Sequence, residues 1–334
     1  MTTALVTGGA GYLGSLLADR LRALDYTVRI FDIADSPQAD VCDPAAIAAA
    51  CEGVDIVFHN VAQVPLARNN ELFWRVNRDG TRNLLVACEA HRVRKVVYTS
   101  SSAIYGVPAR NPVTEETVPA PREEYGRAKL AGEQLCREFA ARGLDVSIVR
   151  PRTIIGPGRL GIFQVLFEWI FEGKNIPVLN GGRNRYQFVH GDDLVEALIL
   201  AANHSGSDDF NCGAREFGTM REVLERVCAH AATGSRVKSL PMWLITPVMT
   251  AASAVRLSPL APYHTLMYGR SMYFDITKAE RILNWRPRYS NDQMFLQTYD
   301  WYVANREAIL HSTHASPHRS PLKQRALSLL HWFF

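Results

Sequence analysis

The feature that most constrains this chain is a glycine turn set between an apolar strand and an apolar-faced helix. Thr3–Thr7 has the pattern of a short buried strand, and Gly8-Gly9-Ala10-Gly11-Tyr12-Leu13-Gly14 follows at once. Leu13, Leu16, Leu17, Leu21 and Leu24 then recur at helical spacing. Gly8 permits a tight turn, Gly11 lets backbone amides approach a pyrophosphate, and Gly14 lets the helix pack close to the strand. The positive end of the helix then faces the phosphates. Gly8, Gly11, Tyr12, Leu13 and Gly14 are therefore candidate dinucleotide-binding residues.

The next strand, Thr27–Phe31, ends in Asp32, whose carboxylate can accept both ribose hydroxyls of NAD and would repel a 2′-phosphate. NAD is thus the expected cofactor, with NADP as the alternative. Asp40-Val41 precedes a helix that starts near Pro44, and by position it could hold the adenine edge. A third strand, Asp55–His59, leads into Asn60-Val61-Ala62, where small residues would let the chain pass under the cofactor.

A fourth strand, Lys95–Thr99, ends in Ser100-Ser101-Ser102-Ala103-Ile104-Tyr105-Gly106. Downstream, Tyr125-Gly126-Arg127-Ala128-Lys129 opens a helix running to about Arg142. Tyr125 and Lys129 are four apart, so they share a helical face. A lysine beside a phenol lowers its pKa, and a strand-end serine can hydrogen-bond a substrate oxygen. That is the apparatus for moving a proton while a nicotinamide moves a hydride.

Together with Val76-Asn77-Arg78-Asp79-Gly80-Thr81, Arg150-Pro151, Ile155-Gly156-Pro157-Gly158-Arg159, Phe188-Val189-His190-Gly191-Asp192-Asp193-Leu194 and Leu283-Asn284-Trp285-Arg286-Pro287, the chain resembles the extended short-chain dehydrogenase/reductase family from residue 3 to about 305. The resemblance implies an α/β architecture: a Rossmann-type doubly wound parallel sheet plus a smaller, discontinuous C-terminal substrate domain. The cofactor domain would take 1–155 and about 186–212, and the substrate domain about 156–185 and 213–310. The resemblance also implies Tyr125 as general acid/base, Lys129 on the nicotinamide ribose, Ser101 orienting the reacting oxygen, and the backbone after Pro151 against the carboxamide. Ser102 is either a helper on the substrate side or a strand-end cap, and Asn77 either shapes the cofactor side or caps a helix. His190 is expected to be structural. A homodimer pairing helices near 78–90 and 125–142 is a family-level expectation.

The family divides between nucleotide-sugar enzymes and oxidoreductases of hydrophobic ketones and alcohols. Many sugar-nucleotide members carry a diphosphate-binding arginine four residues before the motif's histidine, where this chain has Tyr186; Arg185 and Arg183 could substitute. Family epimerases often have a lysine where Val64 stands. Ser239–Gly269 holds a single fixed charge, Arg256, and is broken by four prolines, so it reads as buried helices or an apolar lid, not a span. The expected function is interconversion of a ketone and a secondary alcohol on a lipid-type molecule (3-oxo sphingoid or ceramide-like, sterol-like or hopanoid-like). The alternative is a nucleotide-sugar 4-epimerase or 4-ketoreductase. A non-catalytic nucleotide-sensing scaffold fits poorly with a complete Ser101, Tyr125 and Lys129.

The net charge is +4, too small to argue for nucleic acid, and Arg319, Lys323 and Arg325 in 311–334 supply +3 of it. That tail carries Leu322, Ala326, Leu329, Leu330 and Phe333 on one helical face and ends in aromatics. It suits peripheral contact with an anionic membrane, or folding back on the chain or a partner. Six scattered cysteines without a C-x-x-C pair read as reduced thiols, not disulfides or metal ligands. No secretory signal and no run of about 20 apolar residues is present, so a cytoplasmic enzyme, peripheral at the inner membrane face, is expected.

Overall fold

The computed structural model describes residues 1–63, 70–240 and 269–311. Val64, nearly all of the apolar 239–269 stretch and all but the first residue of the 311–334 tail lie outside the described residues.

The first half alternates strands and helices: β1 (Thr3–Thr7), α1 (Tyr12–Arg22), β2 (Thr27–Phe31), α2 (Pro44–Cys51), β3 (Ile56–His59), α3 (Asn70–Trp74), a π-helical turn at Arg75–Gly80, α4 (Thr81–Ala90), β4 (Lys95–Thr99), α5 (Glu124–Ala141) and β5 (Val146–Pro151). There follow β6 (Thr153–Ile155), α6 (Phe163–Phe171), β7 (Ile176–Leu179), β8 (Phe188–His190), α7 (Gly191–Asn203), β9 (Asp208–Cys212), α8 (Met220–Ala231), β10 (Val237–Leu240), α9 (Thr277–Ile282) and α10 (Asn291–His311). The main sheet runs β2-β1-β3-β4-β5-β9, and every pair in it is parallel. The strand order reverses between β1 and β3, which opens a crevice at their carboxyl ends, where ligands of such sheets bind.

Alternation along the strands sends side chains to two cores. Ala4, Val6, Ile56, Phe58, Val97 and Val149 pack with Leu17 and Leu21 of α1 and Leu194 and Leu198 of α7. Leu5, Val57, Val96, Tyr98 and Ile148 face Ile47 of α2, Leu84 of α4 and Phe139 of α5. A third core joins α6, α8 and α10, with Phe163, Phe167, Phe188 and Phe295 meeting edge to face. The two-stranded pairs β6–β8 and β7–β10 flank it.

The expected division at 213–310 is crossed by one stretch. Met272, Phe274, Ile276, Ala279, Leu283 and Trp285 pack into the sheet's first core, not the third. Trp285 donates its indole N–H to the Asp193 carbonyl at 2.9 Å, and the Asp193 carboxylate accepts from the Arg288 and Tyr289 amides at 3.0 and 3.1 Å. The two sequence motifs centred on Asp193 and Trp285 are thus halves of one latch.

One buried ion pair fixes α5 to the sheet. Arg150 of β5 donates through Nε and Nη2 to both oxygens of Glu133 at 2.8 and 2.9 Å, and Nη1 reaches the Tyr105 hydroxyl at 2.9 Å. Asp209 of β9 lies 2.5 Å from Nη2. Arg150 is 1% and Glu133 0% exposed, so removing one partner leaves a charge stranded. Arg150→Met should lower unfolding free energy by about 3–5 kcal/mol in urea titration, and adding Glu133→Leu should restore most of that loss. Equal stability of the single and double variants would contradict this.

Candidate active site

The glycine turn behaves as its sequence implies. Gly8 has φ +71°, and a Cβ on Gly14 would stand 2.0 Å from the Gly8 carbonyl oxygen. A Cβ on Gly8 would stand 3.0 Å from the Val61 nitrogen, so Asn60-Val61-Ala62 passes directly against the turn. Gly11 is the N-cap of α1 and no side chain caps that end, which leaves the amides opening the helix at Tyr12, Leu13 and Gly14 turned to the crevice. Asp32 closes the turn from the other side. Its two oxygens accept from the Ala10 and Ala34 amides at 3.0 and 2.9 Å. Each keeps a further lone pair for a hydroxyl donor. Val41 is buried and its carbonyl accepts from Asn83 Nδ2 at 3.2 Å. The Asp40 carboxylate accepts from the Cys42 amide at 2.9 Å and lies 3.7 Å from Arg75.

Asn77 is no helix cap. It sits inside the π-helical turn, buried, and grips Gln63 from both sides: Oδ1 accepts from the Gln63 amide at 2.9 Å and Nδ2 donates to its carbonyl at 3.0 Å. The extra residue of a π turn is what aims such a side chain out of the helical ladder. Asn77 therefore anchors the segment beside the glycine turn.

The trio comes together at the carboxyl end of β4. Ser101 caps the 3₁₀ turn Ser102–Tyr105, with Oγ accepting from the Ala103 amide at 3.2 Å, and its side chain favours the ionised form of the Tyr125 phenol. Glu123 caps α5 through the Tyr125 and Gly126 amides at 2.8 and 2.7 Å, which fixes the first turn that presents Tyr125. Gly126 is required there because a Cβ would meet the Ala103 carbonyl at 2.6 Å. Lys129 donates to the Thr99 carbonyl at 2.7 Å and lies 4.2 Å from the centre of the Tyr98 ring. The lowered phenol pKa expected from the Tyr-Lys spacing is not what results. Burial pushes Tyr125 up to about 12, against the opposing pull of Ser101 and the Arg159 charge. Burial outweighs nearby charge because the phenol packs against Phe73, Ala103 and Ala128, with the Phe73 ring 6.0 Å away edge-on.

Ser102 is not the strand-end cap; Ser101 is. Ser102 is buried, and its Oγ accepts from Arg152 Nη1 at 2.7 Å. Arg185 is exposed, stacked between Phe217 and Tyr273 at 4.9 and 4.8 Å. Its neighbour Tyr186 turns inward, bonded to Thr153 Oγ1 at 3.0 Å and 4.6 Å from the Arg152 guanidinium. Pro151 closes β5 beside these residues. His190 caps α7, its Nδ1 accepting from the Asp192 amide at 3.2 Å, and stacks on Tyr289 at 3.9 Å. Two cations escaped the sequence reading: Arg152, and Arg159, whose charge acts on both Tyr12 and Tyr125. The turn Gly156-Pro157-Gly158, with φ positive at both glycines, was the available signal for Arg159.

Among the described residues, buried side-chain atoms without a hydrogen-bond partner fall at Asn60 Nδ2, Ser100 Oγ, Arg152 Nε and Nη2, and His190 Nε2. All belong to the carboxyl ends of β3, β4, β5 and β8. Unpaired buried polar atoms are costly, so their confinement to one crevice fits a site built for a polar ligand. The glycine cradle, the uncapped α1 and Asp32 fit a dinucleotide at the same place. No His, Cys, Asp and Glu group among the described residues could hold a metal ion, and no helix among them is long and apolar enough to cross a membrane.

Residues 4–213 match the model of the NAD dependent epimerase/dehydratase family. The chain belongs to that family. It is an enzyme of the extended short-chain dehydrogenase/reductase type. Within the family it is 54% identical, over 98% of this chain and 85% of the relative, to the uncharacterized protein y4nG of Sinorhizobium fredii (strain NBRC 101917 / NGR234). It is 28% identical, over 86% of this chain and 88% of the relative, to the sterol-4-alpha-carboxylate 3-dehydrogenase, decarboxylating, of Bos taurus. Among solved structures, MoeE5 in complex with UDP-glucuronic acid and NAD superposes with a TM-score of 0.74 at 27% identity, covering 91% of this chain and 99% of that one.

Burial also pushes Lys129 down to about 7, against the pull of Cys136 and Glu133. Unfolded lysine titrates near about 10.4, so between about pH 7 and 10 the unfolded chain holds a proton that native Lys129 has lost. Lys129 thus makes stability rise with pH through that window. In cofactor-free protein, the urea midpoint of Lys129→Met should gain less than wild type between pH 7 and 9; parallel profiles would refute the assignment.

Proposed function

We propose that the chain is an NAD(P)-dependent oxidoreductase that interconverts a ketone and a secondary alcohol on a hydrophobic, lipid-type substrate. The packing of the Ser101-capped turn, through Ala103, against the buried Tyr125 carries this reading. In the reductive direction Tyr125 donates its proton to the forming alcohol oxygen while the Ser101 hydroxyl holds that oxygen. A phenol that burial has raised keeps its proton until a developing alkoxide takes it. Bound nicotinamide supplies the hydride. Gly8, Gly11, Tyr12, Leu13 and Gly14 take the pyrophosphate, Asp32 the adenosine ribose, and Asp40 and Val41 the adenine edge. Asn60, Val61, Ala62 and Asn77 shape the wall beneath. Lys129 takes the nicotinamide ribose and Pro151 the carboxamide side. Arg159 is added as a charge that favours the ionised phenol.

The lipid assignment rests on the apolar surroundings of Tyr125 and on Tyr186, which stands where sugar-nucleotide members use an arginine. Sterol-directed relatives support it, among them the 3 beta-hydroxysteroid dehydrogenase/Delta 5-->4-isomerase of Mycobacterium tuberculosis (strain CDC 1551 / Oshkosh), 29% identical over 90% of both chains. The second reading, a nucleotide-sugar 4-epimerase or 4-ketoreductase, draws on the likeness to the UDP-glucuronic acid complex of MoeE5. We place the enzyme in the cytoplasm as a homodimer, with α4 and α5 side by side on one face and Val86 50% exposed there. Peripheral membrane contact through 311–334 completes the proposal.

Turnover of 3-oxosteroids with NADH, set against UDP- and dTDP-hexoses, separates the two readings. Stoichiometric NADH oxidation supports the first, and isomerised sugar without net NADH loss supports the second. Tyr125→Phe should lower kcat by about 10²–10⁴-fold; turnover near wild type would remove Tyr125 from the chemistry.

A further inference from the structure

Among the described residues, no counter-charge pairs with the Arg152 guanidinium. Its backbone amide continues from β5 to the Cys212 carbonyl at 2.8 Å, and its side chain is 1% exposed. Nη1 donates to Ser102 Oγ at 2.7 Å. Tyr186 and Phe274 lie 4.6 and 5.6 Å from the guanidinium carbon. Nε and Nη2 have no hydrogen-bond partner among the described residues. The contrast with Arg150, two residues earlier, is direct. Arg150 has the same degree of burial, yet its Nε and Nη2 are both filled by Glu133. The two arginines present the same edge; in one a carboxylate of the protein fills it, and in the other nothing does.

Nε and Nη2 lie on one side of a guanidinium and form its side-on fork, the geometry that pairs with the two oxygens of a carboxylate. A buried charge left without such a partner is costly, and sites that keep one generally use it. The position is also pointed. Ser102, which holds Nη1, is the next residue after Ser101, which caps the turn that packs Ala103 against Tyr125.

We propose that Arg152 is the anchor of a substrate carboxylate, bound side-on through Nε and Nη2 while Ser102 holds Nη1 and the Tyr186 and Phe274 rings flank the guanidinium. The groups meeting the guanidinium are Ser102, Tyr186 and Phe274, none of them cationic, which suits a singly charged carboxylate over a phosphate. The subsite deepens the oxidoreductase reading and rests on it for the position of the reacting carbon. The substrate class becomes a hydrophobic hydroxy- or oxo-acid, with its carboxylate on the Ser102 side of the reacting oxygen.

The test uses the full chain with NAD and two probes, a 3β-hydroxysteroid 4α-carboxylic acid and its methyl ester. Calorimetry reads affinity and NADH absorbance reads turnover. The wild type should bind the acid about 10- to 100-fold more tightly than the ester, the range a charge-assisted hydrogen-bonded pair provides. Arg152→Met should lose that preference, and Arg152→Lys, which keeps the charge but not the fork, should retain only part of it. A phosphate-monoester analogue that outcompetes the acid would overturn the carboxylate assignment. So would a wild type without acid-over-ester preference, including one that binds neither, or a preference unchanged in Arg152→Met. Thermal unfolding of both variants checks that each is folded. Acid-selective binding without NADH formation would sink the oxidoreductase reading and leave the subsite standing. NADH formation with an acid-to-ester ratio untouched by Arg152→Met would do the reverse.

Discussion

The buried ion pair between Arg150 and Glu133 is the interaction on which the rest of the site depends. It joins the strand that ends in Pro151 to the helix that carries Tyr125 and Lys129. Without it α5 would rest on apolar contacts, the Lys129 bond to the Thr99 carbonyl and the half-exposed Arg137–Asp209 pair, a weaker constraint on sliding. A two-pronged pair between rigid elements sets translation and rotation together. Tyr125 then meets Ser101, and Lys129 meets the Thr99 carbonyl, as consequences of one docking geometry.

Much of this was legible in the sequence because it follows from local rules. The strand Thr3–Thr7, the glycine turn and the helix after it come from periodicity and from glycine's special freedom, and they appear where expected. The second and fourth strands also carry the expected bounds, and α5, which carries Tyr125 and Lys129, starts one residue early. Asp32 could be placed because a strand end is a fixed point in such a sheet. What could not be read depends on long-range burial. A Tyr-x-x-x-Lys spacing gives a shared helical face but not the low-dielectric surroundings that reverse the expected shift of the phenol. Asn77 could be read either as a helix cap or as shaping the cofactor side, because its partner, Gln63, is fixed only by the fold. Ser101 and Ser102 are neighbours with different duties, and nothing local distinguishes them.

The arginines give the same lesson with charge. Arg150 and Arg152 are two apart in one strand-end run, so sequence treats them alike. The fold gives one a glutamate and the other two aromatic rings. Arg185, the residue a charge-based reading selects, is stacked at the surface, while the uncharged Tyr186 beside it points inward.

The latch between Trp285 and Asp193 bears on how the chain is made. Residues 193 and 285 are 92 positions apart, and β1 begins at Thr3. A ribosome delivers the glycine turn, Ser101 and Tyr125 long before the tryptophan that seals their sheet. Until residue 285 emerges, the α7 side of that sheet keeps apolar surface open to water. The nascent chain therefore carries a recognisable cofactor cradle on a half-covered core, and closure waits on its last hundred residues.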